Sequence, residues 1–155
     1  MNAFTVRYAH LAEEPIAEVG NLIYRGDKVG LMGSTGQSNA NHLHIDVIEG
    51  LVKHLIRLKD IGYEEEPYAP NIKQLNYFVD KELFGVKPIV TTSFFDPFYE
   101  KVYGHHHPGY DLVPEDRHKT KEHFSIYWNR SKSGVILAKG FDSGYGNYIL
   151  IGWEG

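Results

Sequence analysis

A chain of 155 residues has the length of one domain, and with 42% apolar and 23% charged residues it can bury a real core. A net charge of −4 and the lack of any Lys/Arg run exclude the basic face of a nucleic-acid binder, and no stretch approaches the ~20 apolar residues of a membrane span. Nine histidines without one cysteine exclude disulfides, thiolate metal sites and cysteine nucleophiles, and leave metal held by His and carboxylate as the chemistry to look for.

Along the chain, residues 3–10 alternate as a strand, with Phe4, Val6, Tyr8 and His10 on one face. A loop holding Glu13, Glu14 and Pro15 follows, then short β segments at Leu22–Tyr24 and Val29–Met32 around the turn Arg25-Gly26-Asp27. Gly33 to Asn41 is a Gly/Ser/Asn connection without periodicity. His42 to Ile48 is again β-like: His42, His44 and Asp46 share one face, while Leu43, Ile45 and Val47 share the other. Residues 51–60 have helical spacing, 64–70 form a polar loop, and Ile72–Phe84 reads as a second helix. Residues 86–95 return to β, 114–121 form a charged exposed loop, and Gly134–Leu137 and Tyr148–Trp153 are strands, the second announced by Gly144-Tyr145-Gly146-Asn147. The expected fold is mainly β with a small helical insert.

Two elements carry the chemistry. In His42-Leu43-His44 the i, i+2 spacing turns both imidazoles to one side of a strand. In His107-Pro108-Gly109-Tyr110-Asp111 a Pro-Gly turn can fold a histidine and a carboxylate toward one point. Two His and one Asp supply three N/O ligands and leave a fourth position for water, as in hydrolytic zinc sites. Each element alone is a weak sign, since His-x-His pairs and His-Pro-Gly turns are common without metal; together they point to one. His105 and His106 read as a solvated loop, and His54, His118 and His123 as surface residues among charges.

These motifs resemble those of the lysostaphin/LytM-type zinc endopeptidases. Asn41-His42-Leu43-His44-Ile45-Asp46 after Gly33-Ser34-Thr35-Gly36 looks like their closing motif, and Tyr8-Ala9-His10-Leu11 like their Tyr-x-His-Leu strand. Gly26-Asp27-Lys28-Val29-Gly30 looks like the turn between the two. His107-x-Gly109-x-Asp111 looks like their first zinc motif, preceded by Thr92-Ser93-Phe94, and Gly144-Tyr145-Gly146-Asn147 like their glycine turn. The resemblance spans most of the chain outside 51–85 and 114–130. It implies that His107, Asp111 and His44 bind Zn2+, and that His42 and His10 line the pocket as general base and oxyanion stabiliser. It also implies an assisting tyrosine before His107, for which Tyr99 and Tyr103 both qualify. The implied activity is hydrolysis of peptide bonds in bacterial peptidoglycan, in the stem peptide or the cross-bridge, on a duplicated-hybrid-motif antiparallel sheet.

The order of the motifs departs from the family. Relatives run from His-x-x-x-Asp through the glycine turn to Tyr-x-His-Leu and His-x-His, whereas here the last two come first. A circular permutation accounts for this within a single domain. Residues 1–50 carry the His-x-His half, 51–85 bridge the old termini, and 86–155 carry the His-x-x-x-Asp half. Tyr148–Trp153 and Phe4–Tyr8 are then halves of one split hairpin and should pair antiparallel. A closed monomer is preferred, and a homo-oligomer exchanging halves about the bridge is the alternative. No signal peptide is visible in Met1 to His10. With a wall substrate, that points to an extracellular or virion-associated phage protein acting in the tail or in lysis. The rival reading is a non-catalytic tail component, structural or wall-binding, that keeps the fold and the zinc; a histidine phosphocarrier fits less well, because Asp111 has no place in it.

Overall fold

Strand β1 (Ala3–Leu11) is the centre of the architecture. The computed structural model describes residues 3–38, 40–53, 71–92, 101, 109–115 and 123–154. Phe4, Val6 and Tyr8 alternate into the core, while Thr5, Arg7 and Ala9 are buried on the opposite face. A strand covered on both faces needs partners on both edges, and β1 has them. β4 (Leu43–Glu49) and β9 (Gly146–Glu154) both pair with it antiparallel. The expected pairing of Phe4–Tyr8 with Tyr148–Trp153 is therefore present, with Phe4 opposite Trp153 and Tyr8 opposite Ile149.

Beyond these lie β2 (Leu22–Ile23), β5 (Pro88–Thr92), β6 (Tyr110–Pro114) and β8 (Gly134–Asp142), giving a seven-stranded sheet in the order β2-β8-β9-β1-β4-β6-β5. β3 (Lys28–Leu31) and β7 (Ser125–Tyr127) form a separate antiparallel ribbon. The fold is mainly β, as the alternation in the sequence implied. Among the described residues no helix is long and apolar enough to cross a membrane.

The core gathers under the Phe4/Val6/Tyr8 face. Phe78 stands edge-on to Tyr8, Trp128 and Trp153 at centroid distances of 6.5, 5.6 and 5.0 Å. Edge-to-face rings at such spacings match the positive rim of one ring to the negative face of the next. Leu75, Phe78, Leu83 and Phe84 reach this core from the middle segment, each burial worth roughly 1.5–3 kcal/mol.

That segment is less helical than its sequence suggests. Instead of a helix over Ile72–Phe84, only Ile72–Asn76 is helical, capped by the Asn71 side chain, which accepts from the Gln74 N–H. Beyond it, side chains capture the backbone groups a helix needs. The Phe78 carbonyl accepts from Asn129 Nδ2, and Asp80 Oδ1 accepts from the Glu82 N–H. Leu51–Lys53 carries no regular structure; the remainder of the helix expected at 51–60, the loop at 64–70 and residues 93–95 lie outside the described residues. Two strands went unread in the sequence. β6 begins directly after Gly109, so Asp111 lies within a strand, and β7 is too short to show a period.

Candidate metal centre

His42, just before β4, and His44 and Asp46 within it lie on the face away from the core, while Leu43, Ile45 and Val47 are buried in it. The two neighbours of β4 bring the other groups. On β1, Ala9 lies opposite His44 and Arg7 opposite Asp46; on β6, Asp111 lies opposite His44. Cross-strand partners stand ~4.5–5.5 Å apart at their Cα atoms, close enough for side-chain contact. The consequence is a contact between residues 67 positions apart: His44 Nδ1 is 3.1 Å from Asp111 Oδ1. His42 Nε2 stands 3.6 Å from the same oxygen.

His10 reaches this group by a route its sequence did not show. Strict alternation would place it with Tyr8 in the core. Instead β1 has an extra residue relative to β9 between Tyr8 and Leu11, and His10 itself has φ 59°. A bulge of this kind re-aims a side chain, and here it swings His10 onto the polar face. Its ring centroid lies 4.9 Å from that of His42 and 6.3 Å from that of His44. Two backbone carbonyls from the connection before β4 hold the His10 and His42 rings. The Thr35 carbonyl accepts from His10 Nδ1 at 2.8 Å, and the Ala40 carbonyl accepts from His42 Nδ1 at 2.9 Å. A carbonyl can only accept, so Nδ1 carries the proton in both rings, and in the neutral imidazole Nε2 is left with its lone pair.

Two glycines explain why the backbone can close so tightly. A Cβ at Gly109 would sit 2.2 Å from the Ile45 carbonyl oxygen and 2.6 Å from Asp46 Cβ, so the middle residue of His-x-Gly-x-Asp lies flat against β4. Gly36, at φ +75°, presses on Gly146, where a Cβ would meet the Gly146 nitrogen at 2.3 Å. That contact seats the loop on the start of β9, with Thr35 Oγ1 donating to the Leu11 carbonyl and accepting from the Asn147 N–H.

Behind the histidines lies a buried ion pair that the sequence reading missed. Arg7 Nε donates to Asp46 Oδ1 at 2.9 Å, and a second guanidinium nitrogen donates to Oδ2. The Tyr145 ring caps the guanidinium at 4.2 Å. The signal was available: Arg7 and Asp46, each flanked in its strand by apolar residues, must meet a partner if both strands are buried.

Electrostatics follow from this layout. Burial pushes the His10 imidazole down to about 4, helped by the charges of His44 and His42 and opposed by the Thr35 hydrogen bond. Burial works against the charged form of His44 too, but hydrogen bonds and charge from Asp111 and Asp46 outweigh it and raise the group to about 9. For Asp46, burial is likewise overcome, by Arg7 and His44, which hold the carboxyl at about 2. These shifts give a signed expectation for the metal-free chain. From the ordinary histidine value of 6.5 up to about 9, folded His44 keeps a proton that the unfolded chain has lost, so stability falls as pH rises. Between 6.5 and about 4, folded His10 stays neutral where the unfolded chain is protonated, so stability falls as pH drops. Denaturation in chelator across this range should therefore show a maximum near pH 6.5; a flat alkaline limb would contradict the His44 environment.

Of the expected ligands, His44 and Asp111 are adjacent, and the expected pocket residues His42 and His10 stand beside them. His107, like Tyr99 and Tyr103, lies outside the described residues, as do His54, His105, His106 and His118. His123 is exposed, as expected. Among the described residues no set of three His, Cys, Asp or Glu side chains could by itself hold a metal. The two donors that are described do fit one: ligands ~2.1 Å from a tetrahedral zinc span ~3.4 Å, close to the 3.1 Å between His44 Nδ1 and Asp111 Oδ1.

Residues 1–54 match the family model described as Peptidase family M23. Neither the curated proteins nor the solved structures give a match. The matched segment holds β1 to β4, and with them His10, His42 and His44, whereas Asp111 comes from beyond it. Over residues 1–54 the chain is thus similar to peptidase family M23, the family of the lysostaphin/LytM-type enzymes.

Proposed function

We propose that this chain is a zinc-dependent endopeptidase that hydrolyses peptide bonds of bacterial peptidoglycan, with His107, Asp111 and His44 as zinc ligands and His42 and His10 as the catalytic pair. The observation that carries the reading is the His44–Asp111 register. The family match ends at residue 54, yet a carboxylate from outside it lies against the second histidine of His-x-His. A bound zinc would supply Lewis acidity and bring the pKa of a water to about 7. The chain's own groups do the rest. Nε2 of His42 and of His10 are lone-pair acceptors at the rim of the site, held there by the Ala40 and Thr35 carbonyls. One ring takes the proton from water; once protonated, an imidazolium donates to the developing oxyanion or to the leaving amine.

The β1–β9 pairing supports a circular permutation as the origin of the motif order, because it joins Phe4–Tyr8 to Ile149–Trp153 as adjacent antiparallel strands. Incubation of the zinc-loaded chain with purified peptidoglycan, followed by mass spectrometry of the soluble products, tests the activity. New peptide termini, lost on chelation and regained with zinc, are the expected result. A folded, zinc-loaded chain that releases none would turn the reading toward a non-catalytic wall-binding component.

A further inference from the structure

The buried pair Arg7–Asp46 is not in itself a sign of a stabilising role, since such pairs can often be replaced by apolar side chains of similar volume without loss. Its position suggests another use. Asp46 lies two residues beyond His44 on the same face of β4, and its Oδ1 is 3.7 Å from His44 Nε2. Asp111 lies on the other side of the ring, at Nδ1. The two ring nitrogens thus face two different carboxylates. Asp46 is itself fixed from three directions: the Arg7 guanidinium grips both of its oxygens, Gly109 packs against its Cβ, and Tyr145 closes over Arg7.

We infer that Asp46, clamped by Arg7, is a positioning residue for the zinc ligand: it holds the His44 ring proton on Nε2 so that the Nδ1 lone pair faces Asp111 and the metal. The inference rests on the zinc reading above and extends it to the second layer of the site. A ligating imidazole commonly donates its other N–H to a carboxylate, which sets both tautomer and ring orientation. Without that acceptor, a neutral His44 is free to carry its proton on Nδ1, donated to Asp111, where it would block the metal. Arg7 acts through Asp46, gripping both carboxylate oxygens and keeping them aimed.

The test is zinc affinity, measured by competition with a chelator of known strength. Removing one partner alone leaves a buried charge and can unfold the chain, so the informative variant is the double substitution Arg7→Met/Asp46→Leu, which removes both charges together. Its melting temperature in chelator should stay near that of the wild type, while its zinc affinity falls by roughly 10–100-fold. A folded double variant that binds zinc as tightly as the wild type would overturn the inference and leave the pair a structural one. A second readout needs no variant: in the zinc-loaded wild type, 1H–15N correlation of the His44 ring should find its proton on Nε2, and a proton on Nδ1 would overturn the inference whether or not the double variant folds. A wild-type chain that takes up no zinc would instead remove the underlying zinc site, an outcome distinct from either.

Discussion

Replacing His44 or Asp111 by alanine should lower the zinc content from about one per chain to near zero and abolish peptide hydrolysis with it. The two donor atoms stand 3.1 Å apart, a spacing compatible with neighbouring ligands on one small cation, so in the proposed set each substitution would remove one of three ligands. Two remaining ligands do not retain zinc against a competing chelator. His107→Ala should do the same. Metal analysis after gel filtration measures all three variants. Retention of zinc by all of them would mean that the ligand set is wrongly chosen. Binding should also strengthen with pH in the metal-free chain, because zinc must displace the proton that Asp111 and Asp46 stabilise on His44.

The catalytic pair should behave in the opposite way. His42→Ala and His10→Asn are expected to keep zinc near the wild-type content while turnover drops by roughly 10²–10⁴-fold, the range for losing a general acid–base group. Asparagine is the better substitute at position 10, since φ there is 59° and a short polar side chain tolerates that left-handed backbone. The argument rests on which nitrogen each ring offers. With Nδ1 committed to a backbone carbonyl in both, Nε2 is the atom available for proton transfer. Zinc loss in His42→Ala would show that the ligand and catalytic roles within His42-Leu43-His44 are reversed. Full turnover in His10→Asn would reduce His10 to a filler of the bulge. Steady-state kinetics on a cross-bridge peptide, paired with metal analysis, separates these outcomes.

Much of this site was legible before any coordinates. The i, i+2 rule put His42, His44 and Asp46 on one face of β4, because side chains alternate along any strand. The glycine-rich connection between Gly33 and Asn41 and the turn before Asn147 were visible as breaks in periodicity. The helical insert was over-read for a local reason: Ile72, Leu75, Phe78 and Val79 have helical spacing, yet Asn129 and Asp80 divert the backbone from it after Asn76. The bulge at His10 was invisible because the same alternation that marks a strand gives no sign of the point where one extra residue enters.

What the sequence determined by itself was the set of faces: which residues of each strand point together, and which residue types can bind a metal. Only the tertiary structure decided what each face meets. Asp111 lies opposite His44 because Leu43 and Leu112, their neighbours in register, are both buried in the same core and lock β4 against β6. Arg7 meets Asp46 because Tyr8 and Ile45, paired beside them, are held in that core too. Periodicity reports the orientation of side chains within a segment, since it follows from local backbone geometry. The register between segments far apart in the chain follows from how their buried sides pack, and a one-residue slip would turn every one of these polar groups to the other face.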